Sequence, residues 1–214
     1  MITVKTFVFN PFSENTYILF DETKECVIID PGCFDKKEED EIVSFITSNK
    51  LIPTYILITH GHIDHVLGVN YLKNELNIPV WVPKEEEQTY NAVPSYSESY
   101  GFGNYKHTPA DYLINEGEKI LFGTSSLNTI YAPGHSAGHA AFINIDENIC
   151  IGGDILFSGS IGRVDLPGGD YDTLIKSIKE KLFTLNESMV VYPGHGPTTT
   201  IKQEKATNPF FVDQ

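Results

Sequence analysis

Six of the seven histidines in this chain fall inside three short, glycine-rich motifs. The first is Thr59-His60-Gly61-His62-Ile63-Asp64-His65, the second Pro133-Gly134-His135-Ser136-Ala137-Gly138-His139 and the third Pro193-Gly194-His195-Gly196-Pro197. Gly152-Gly153-Asp154 lies between the last two. Imidazoles packed this densely among glycines and carboxylates are suited to binding divalent metal ions. His60 and His62 are two residues apart and can grip one ion from the same side, with Gly61 allowing the tight turn. Asp64 and His65 then fall at the start of a helix and point elsewhere, so one segment offers two divergent pairs and favours two ions. His135 completes a set with His60 and His62. His195 completes another with Asp64 and His65, and Asp154 is the natural bridging carboxylate. Each ion then keeps an open position for water, which is a catalytic arrangement rather than a closed structural one. Two ions ~3.5–4 Å apart can share a hydroxide, bring the pKa of its parent water to ~7 and polarise a carbonyl.

Rigid elements must aim these side chains at one point. The opening reads as strands over 2–9, 15–20 and 26–30, separated by turn residues. A helix is expected over 37–48, with Ile42, Val43, Phe45 and Ile46 on one side. Tyr55-Ile56-Leu57-Ile58 is a short apolar run, the mark of a strand covered on both faces, and it ends on the first histidine motif. A helix over 66–76, a strand over 79–82 and a short helix over 84–91 follow. Residues 93–110 read as a loop rich in Ser, Tyr, Gly and Pro, in which His107 is expected to be exposed to solvent. Strands recur at 119–122, 125–131, 140–145 and 149–152. Leu174, Ile175, Ile178 and Leu182 have helical spacing, with Asp170 or Asp172 placed to cap the start. Met189-Val190-Val191-Tyr192 is the last core strand and runs into the third motif. Two blocks of strands, each followed by helices, predict two sheets packed face to face with helices outside. No linker, charge block or repeat divides the chain, so residues 1–214 are expected to form one domain.

Composition narrows the function classes. The chain has 214 residues, 41% of them hydrophobic, and a net charge of −14. That charge repels phosphate backbones and argues against nucleic acid as a partner. No apolar run approaches the ~20 residues of a membrane span, and the N-terminus lacks the features of a signal peptide. Three cysteines (Cys26, Cys33 and Cys150) show no paired spacing, which argues for a reducing, cytoplasmic compartment. Cys26 and Cys150 read as small buried hydrophobes.

Together the motifs resemble those of metallo-β-lactamase-fold hydrolases, in particular the glyoxalase II-like branch of small thiolester hydrolases. The resemblance is carried by the three histidine motifs, by Gly152-Gly153-Asp154-Ile155-Leu156-Phe157, by Gly159-Ser160-Ile161-Gly162-Arg163-Val164-Asp165, and by Thr207-Asn208-Pro209-Phe210. It spans nearly the whole chain. It implies an α/β fold, an αββα four-layer sandwich with the site at one rim, and metal ligation by His60, His62, Asp64, His65, His135, Asp154 and His195. In β-lactamases of the best-known subclass a cysteine replaces the bridging aspartate and the histidine after the motif's aspartate is missing. Asp154 and His65 are both present here, which disfavours antibiotic hydrolysis. Glyoxalase II enzymes proper carry a further C-terminal helical region that grips glutathione. This chain ends about seventeen residues after Pro197, too short for that region.

The expected reaction is hydrolysis of a small-molecule acyl-thiol, S-lactoylglutathione or a relative, by a metal-bridging hydroxide, with Asp64 or Asp154 taking the residual proton. The expected cofactor is a pair of divalent ions, zinc first, with iron or manganese as alternatives. Arg163 is a candidate clamp for a substrate carboxylate, or else an ion-pair partner of Asp165. His139, Thr59 and Asp30 are candidates for orienting the ligands; a turn-capping role is the other reading of Asp30. Tyr96, Tyr100, Phe102 and Tyr105 are candidates for lining a substrate mouth, forming a lid, or packing on the surface or a second subunit. The alternative reaction is that of an iron-dependent persulfide dioxygenase, using one Fe(II) on His60, His135 or His62, and Asp154. A third reading is a metal-carrying module without turnover.

Overall fold

The computed structural model of the chain describes residues 1–212. Its first sheet has the order β1-β2-β3-β4-β5-β6, formed by Thr3–Phe9, Glu14–Phe20, Glu25–Ile29, Ile52–Leu57, Val80–Pro83 and Tyr112–Ile114. β1, β2 and β3 pair antiparallel, whereas β3 to β6 run parallel. Parallel neighbours need crossovers. Helix α1 (Lys36–Ser48) links β3 to β4, helix α2 (Val69–Leu76) links β4 to β5, and α3 (Glu87–Ala92) lies between β5 and β6. The second sheet has the order β14-β13-β10-β9-β8-β7. Its strands are β7 Lys119–Phe122, β8 Ser125–Tyr131, β9 Ala140–Asn144, β10 Ile149–Gly153, β13 Val190–Pro193 and β14 Thr199–Thr200. A two-stranded ribbon, β11 (Leu156–Phe157) and β12 (Ser160–Ile161), leads on to α4 (Tyr171–Ser177), which continues as a wider π-type turn over Ile178–Leu182. Helix α5 (Ile201–Thr207) closes the fold.

Strand alternation sets the layers. On β2 and β3, Tyr17, Leu19, Val27 and Ile29 face inward and meet Ile120, Phe122, Phe142, Ile149 and Ile151 of the other sheet. Their neighbours Ile18, Cys26 and Ile28 face outward and are covered by Ile42 and Ile46 of α1 and Leu72 of α2. On the far side Cys150 and Val191 pack under Leu174, Ile178 and Ile201. Period-two alternation with both faces buried therefore produces the helix–sheet–sheet–helix stack expected from the sequence.

Three helices start where a side chain caps them. Asp35 accepts from the Glu38 amide, Asp170 from the Thr173 amide and Thr200 from the Gln203 amide; Asp170, not Asp172, caps α4.

Several local expectations shift. α2 begins at Val69 rather than 66, because Ile63–His65 forms a separate 3₁₀ turn. The expected helix over 84–91 is a 3₁₀ turn, Lys84–Glu86, followed by α3. The 93–110 loop carries two 3₁₀ turns, Val93–Ser95 and Ser97–Tyr100. His107 is half-buried, lies against the Tyr90 ring at 4.9 Å, and bonds Asn91 Oδ1 through Nε2 at 3.0 Å. No helix among the described residues is long and apolar enough to cross a membrane.

Candidate metal centre

Every candidate ligand follows the end of a strand on the same rim of the sandwich. β4 delivers His60 and His62, and the 3₁₀ turn beyond it holds Asp64 and His65. The β8–β9 connection carries His135, Asp154 follows β10 directly, and His195 follows β13. The two sheets are tied together here. The Asn15 amide donates to Gly194 O at 2.7 Å, its side chain donates to Pro193 O and Gly196 O, and Tyr17 Oη donates to Pro193 O at 2.6 Å.

All seven side chains converge. His135 Nε2 lies 3.2 Å from His60 Nε2 and 2.9 Å from His62 Nδ1, so these three nitrogens face one point. Asp64, His65 and His195 form a second group, with His195 Nε2 3.1 Å and His65 Nε2 3.8 Å from Asp64 Oδ2. Asp154 spans both: Oδ1 is 3.6 Å from His65 Nε2, and Oδ2 is 3.6 Å from His135 Nε2 and 3.5 Å from His195 Nε2. The structure thus brings His60, His62 and His135 together as one donor group and Asp64, His65 and His195 as another, with Asp30, His60 and His65 as a third.

The outer ring nitrogens explain why the inner ones are available. His60 Nδ1 is 3.0 Å from Thr59 Oγ1, whose hydroxyl donates to Asp30 Oδ2 and so accepts from the ring. His65 Nδ1 donates to Asp30 Oδ2 at 3.1 Å, His135 Nδ1 to Arg163 O at 2.8 Å, and His195 Nδ1 to Phe12 O at 3.1 Å. In each ring this places the proton on Nδ1 and leaves the Nε2 lone pair facing inward, the tautomer a ligand needs. Asp30 also accepts from the Thr59 amide, so one carboxylate fixes the rings of two ligands, which is the orienting role anticipated for it. His139 does not face the donor cluster: its Nε2 accepts the Asp154 amide at 3.0 Å, and its ring stacks on His60 at 4.7 Å.

Electrostatics fit a cation. Burial, reinforced by His135, holds His62 down at about 3, and burial with the neighbouring rings keeps His60 well below the ordinary imidazole value. Burial alone would raise Asp154, yet His65, His135 and His195 hold it far below the usual carboxylate range. Burial opposes protonation of His65 too, but Asp64 and Asp154 outweigh it and push that ring well up; a positive charge is wanted at this spot. Two fully enclosed atoms here, His65 Nε2 and Asp154 Oδ1, have no hydrogen-bond partner. Buried polar atoms left unpaired are costly, and a metal ion is the group that would satisfy both. The residues present therefore fit divalent metal ions.

Sequence reasoning missed Glu86. This fully buried carboxylate accepts from the Gly61 amide at 3.0 Å, the Gly138 amide at 2.7 Å and Ser136 Oγ at 3.0 Å. It clamps the first two histidine motifs together from behind. It sits in the run Lys84-Glu85-Glu86-Glu87, which reads as the solvated first turn of a surface helix. Arg163 stands at the rim of the cleft with its side chain 59% exposed, and makes two 2.7 Å hydrogen bonds to Asp165. Of the two readings of this residue, the ion pair is the one seen; its carbonyl orients His135. The cleft above the donors has a volume of about 830 Å³, and Phe12, Ile63, Tyr96, Tyr100, Phe157 and Leu166 form much of its wall.

A four-layer sandwich with convergent His and Asp donors at one rim is the layout of a metal-dependent hydrolase. The chain belongs to the metallo-beta-lactamase superfamily, whose family model matches residues 9–195. It is 36% identical over 201 residues to the hydroxyacylglutathione hydrolase GloC of Haemophilus influenzae, covering 93% of either chain. Among solved structures it is similar to the BLEG-1 B3 metallo-beta-lactamase (TM-score 0.90, 34% identity, 98% of this chain and 100% of that one). It is likewise similar to TTHA1623 in a di-iron-bound form (TM-score 0.86, 35% identity, 97% and 100%).

Proposed function

We propose that this chain hydrolyses thiolesters of small acyl groups, using two divalent ions, zinc first. The observation that carries the reading is the pair of donor triads joined through Asp154 at the floor of an open cleft. Its similarity to a protein named as a hydroxyacylglutathione hydrolase supports the substrate class. When bound, the metal pair supplies an acidified water and Lewis-acid polarisation of a carbonyl. The protein's own groups do the rest. The apolar walls hold the acyl-thiol over the donors and reduce water around the carbonyl. Asp64, which lines the cleft with Oδ2 3.1 Å from His195 Nε2, takes the proton released as the nucleophile adds to the carbonyl carbon. The C–S bond then breaks and the thiolate departs. A thiolate is a weak base, so the step proceeds without a strong general acid. The partner is a small molecule, not a nucleic acid or a membrane, in keeping with the net charge of −14. Three buried, unpaired thiols suit a reducing, cytoplasmic compartment.

Metal-loaded protein should turn over S-lactoylglutathione or another acyl-thiol, lose that activity on chelation and regain it on metal addition. Failure to hydrolyse any thiolester at full metal content would refute the assignment. So would faster turnover of a β-lactam than of any thiolester. One iron per chain with oxygen uptake on a glutathione persulfide would replace it with the dioxygenase reading.

A further inference from the structure

We propose that Glu204 and Asn208, in and just after α5, are positioning residues: they hold the tip of the β11–β12 ribbon where it walls the cleft, and so set substrate affinity. This rests on the thiolester reading above. The ribbon lies between Asp154 and Arg163, whose carbonyl accepts from His135 Nδ1. Phe157, Ser160 and Ile161 line the cleft, and the Phe157 ring meets His195 edge-on at 6.3 Å. No residue of α5 lines it, so any effect of Glu204 or Asn208 on substrate passes through the ribbon.

The ribbon does not hold itself. Each of its strands has two residues, and an isolated hairpin is marginal even when longer. Its turn is Ser158-Gly159, where only Gly159 has positive φ (73°). Two-residue turns that match the strand twist need positive φ at the first position. The core fixes the base: Leu156 and Ile161 are buried in it, and the Gly162 amide donates to Ile155 O at 3.3 Å. The tip is tied from α5. Glu204 Oε2 accepts from the Gly159 amide at 2.9 Å, and Asn208 Nδ2 donates to Ser160 O at 3.0 Å and to Glu204 Oε2 at 2.8 Å. The Phe210 amide donates to Asn208 Oδ1 at 3.0 Å, which turns the amino group of Asn208 toward the ribbon. Both side chains are fully buried. The groups that donate to Glu204 are all neutral, Thr199 Oγ1 being the third. Burying a carboxylate without an ion-pair partner is costly; what this cluster supplies is placement of the ribbon.

Asn208→Ser keeps an oxygen for the Phe210 amide and removes the donor to Ser160. The assay uses metal-loaded enzyme with S-lactoylglutathione or S-acetyl-N-acetylcysteamine, whichever turns over faster. KM should rise about ten-fold while kcat stays within about two-fold, the pattern of binding lost equally from ground and transition states. Metal content should match the wild type, because the base of the ribbon is untouched. Hydrogen exchange should quicken about five-fold at the amides of 156–161 and not in β10 or β13. Glu204→Gln keeps an acceptor for Gly159 and Asn208, and its KM should stay within about two-fold of the wild type. Phe157→Ala should itself raise KM, and adding Asn208→Ser to it should change KM by less than about two-fold. A structural defect alone would lower Tm and add its effect to that of Phe157→Ala. The proposal is overturned if Asn208→Ser keeps the wild-type KM, or if its effect and that of Phe157→Ala are independent. It is equally overturned if Phe157→Ala leaves KM unchanged, a result that needs no change in α5. If neither ester is hydrolysed at full metal content, the thiolester reading fails first and this proposal falls with it; turnover without the KM effect refutes this proposal alone.

Discussion

Replacing Glu86 by alanine should damage stability and metal binding together. The carboxylate sits at 0% exposure and accepts three hydrogen bonds, one on Oε1 from Gly61 and two on Oε2 from Ser136 and Gly138. Truncation leaves three donors unpaired, at about 1–3 kcal/mol each. Against this stands the relief of no longer burying a carboxylate, which is considerable, because burial raises this group even while the Gly61 and Gly138 amides pull it down. The net expectation is a loss of about 3–5 kcal/mol, the range for one partner removed from a buried charged network. In a chain of this size that lowers Tm by about 6–20 °C.

The location makes the effect functional as well. Gly61 lies between ligands His60 and His62, and Ser136 and Gly138 lie just beyond His135. Loosening both segments at once lets the first triad spread, with an expected loss in metal affinity of about 10–100-fold. Glu86→Gln keeps the shape and one acceptor oxygen, so it should fall between the wild type and alanine. Calorimetry and competition against a chromophoric chelator measure the two effects. An alanine variant with Tm within about 2 °C of the wild type and metal affinity within about two-fold would show that the clamp does not hold the triad.

Two further outcomes are expected. Asp21 accepts from the Thr23 and Thr124 amides and from the hydroxyls of Thr23, Thr124 and Ser125, binding the β2–β3 turn to the β7–β8 turn. Burial opposes its ionisation, but these donors hold it well below the usual carboxylate range. A depressed folded pKa gives stability that is complete above the unfolded value of ~3.9 and is lost as pH falls towards the folded one. Urea unfolding should therefore show Asp21→Asn destabilised by about 2–3 kcal/mol near neutrality. The gap should begin to narrow as pH falls below about 4 and keep narrowing towards the folded pKa, and parallel acid limbs would contradict this. Metal loading at about 100 times Kd should stabilise the chain by about 2.7 kcal/mol, or about 5–10 °C in Tm. Asp154→Asn should reduce that gain. A Tm indifferent to stoichiometric metal would count against the centre.

The seven candidate ligands were legible because their chemistry is concentrated in motifs that each follow an apolar strand. The layer order was legible because alternation on β2, β3 and β10 buries both faces. What escaped lacks a local signal. β6, β11, β12 and β14 are two or three residues long, too short to display a period. Glu204 is fully buried, where it accepts from Thr199 Oγ1, the Asn208 side chain and the Gly159 amide. In sequence it is one more charge on a polar helix. Such residues become interior only when distant segments close over them, and their partners are spread over 45 positions in the case of Gly159.

Gly61 shows how a correct residue can carry the wrong reason. The sequence suggests a glycine needed for turn conformation, yet Gly61 is not among the residues with positive φ. What it requires is space, because a Cβ there would strike the backbone of Tyr90 in α3. Gly138 is in the same position, since a Cβ on it would strike the backbone of Glu85 and Glu86. Two glycines from different histidine motifs thus press against the same short segment, Glu85 to Tyr90, and Glu86 hydrogen-bonds to both of their amides. Backbone-to-backbone contact of this kind leaves little freedom for either motif to shift without the other. The convergence of His60, His62 and His135 is therefore a property of packing around α3 as much as of the strands that deliver them. The donor set is held ready by the fold before any ion arrives.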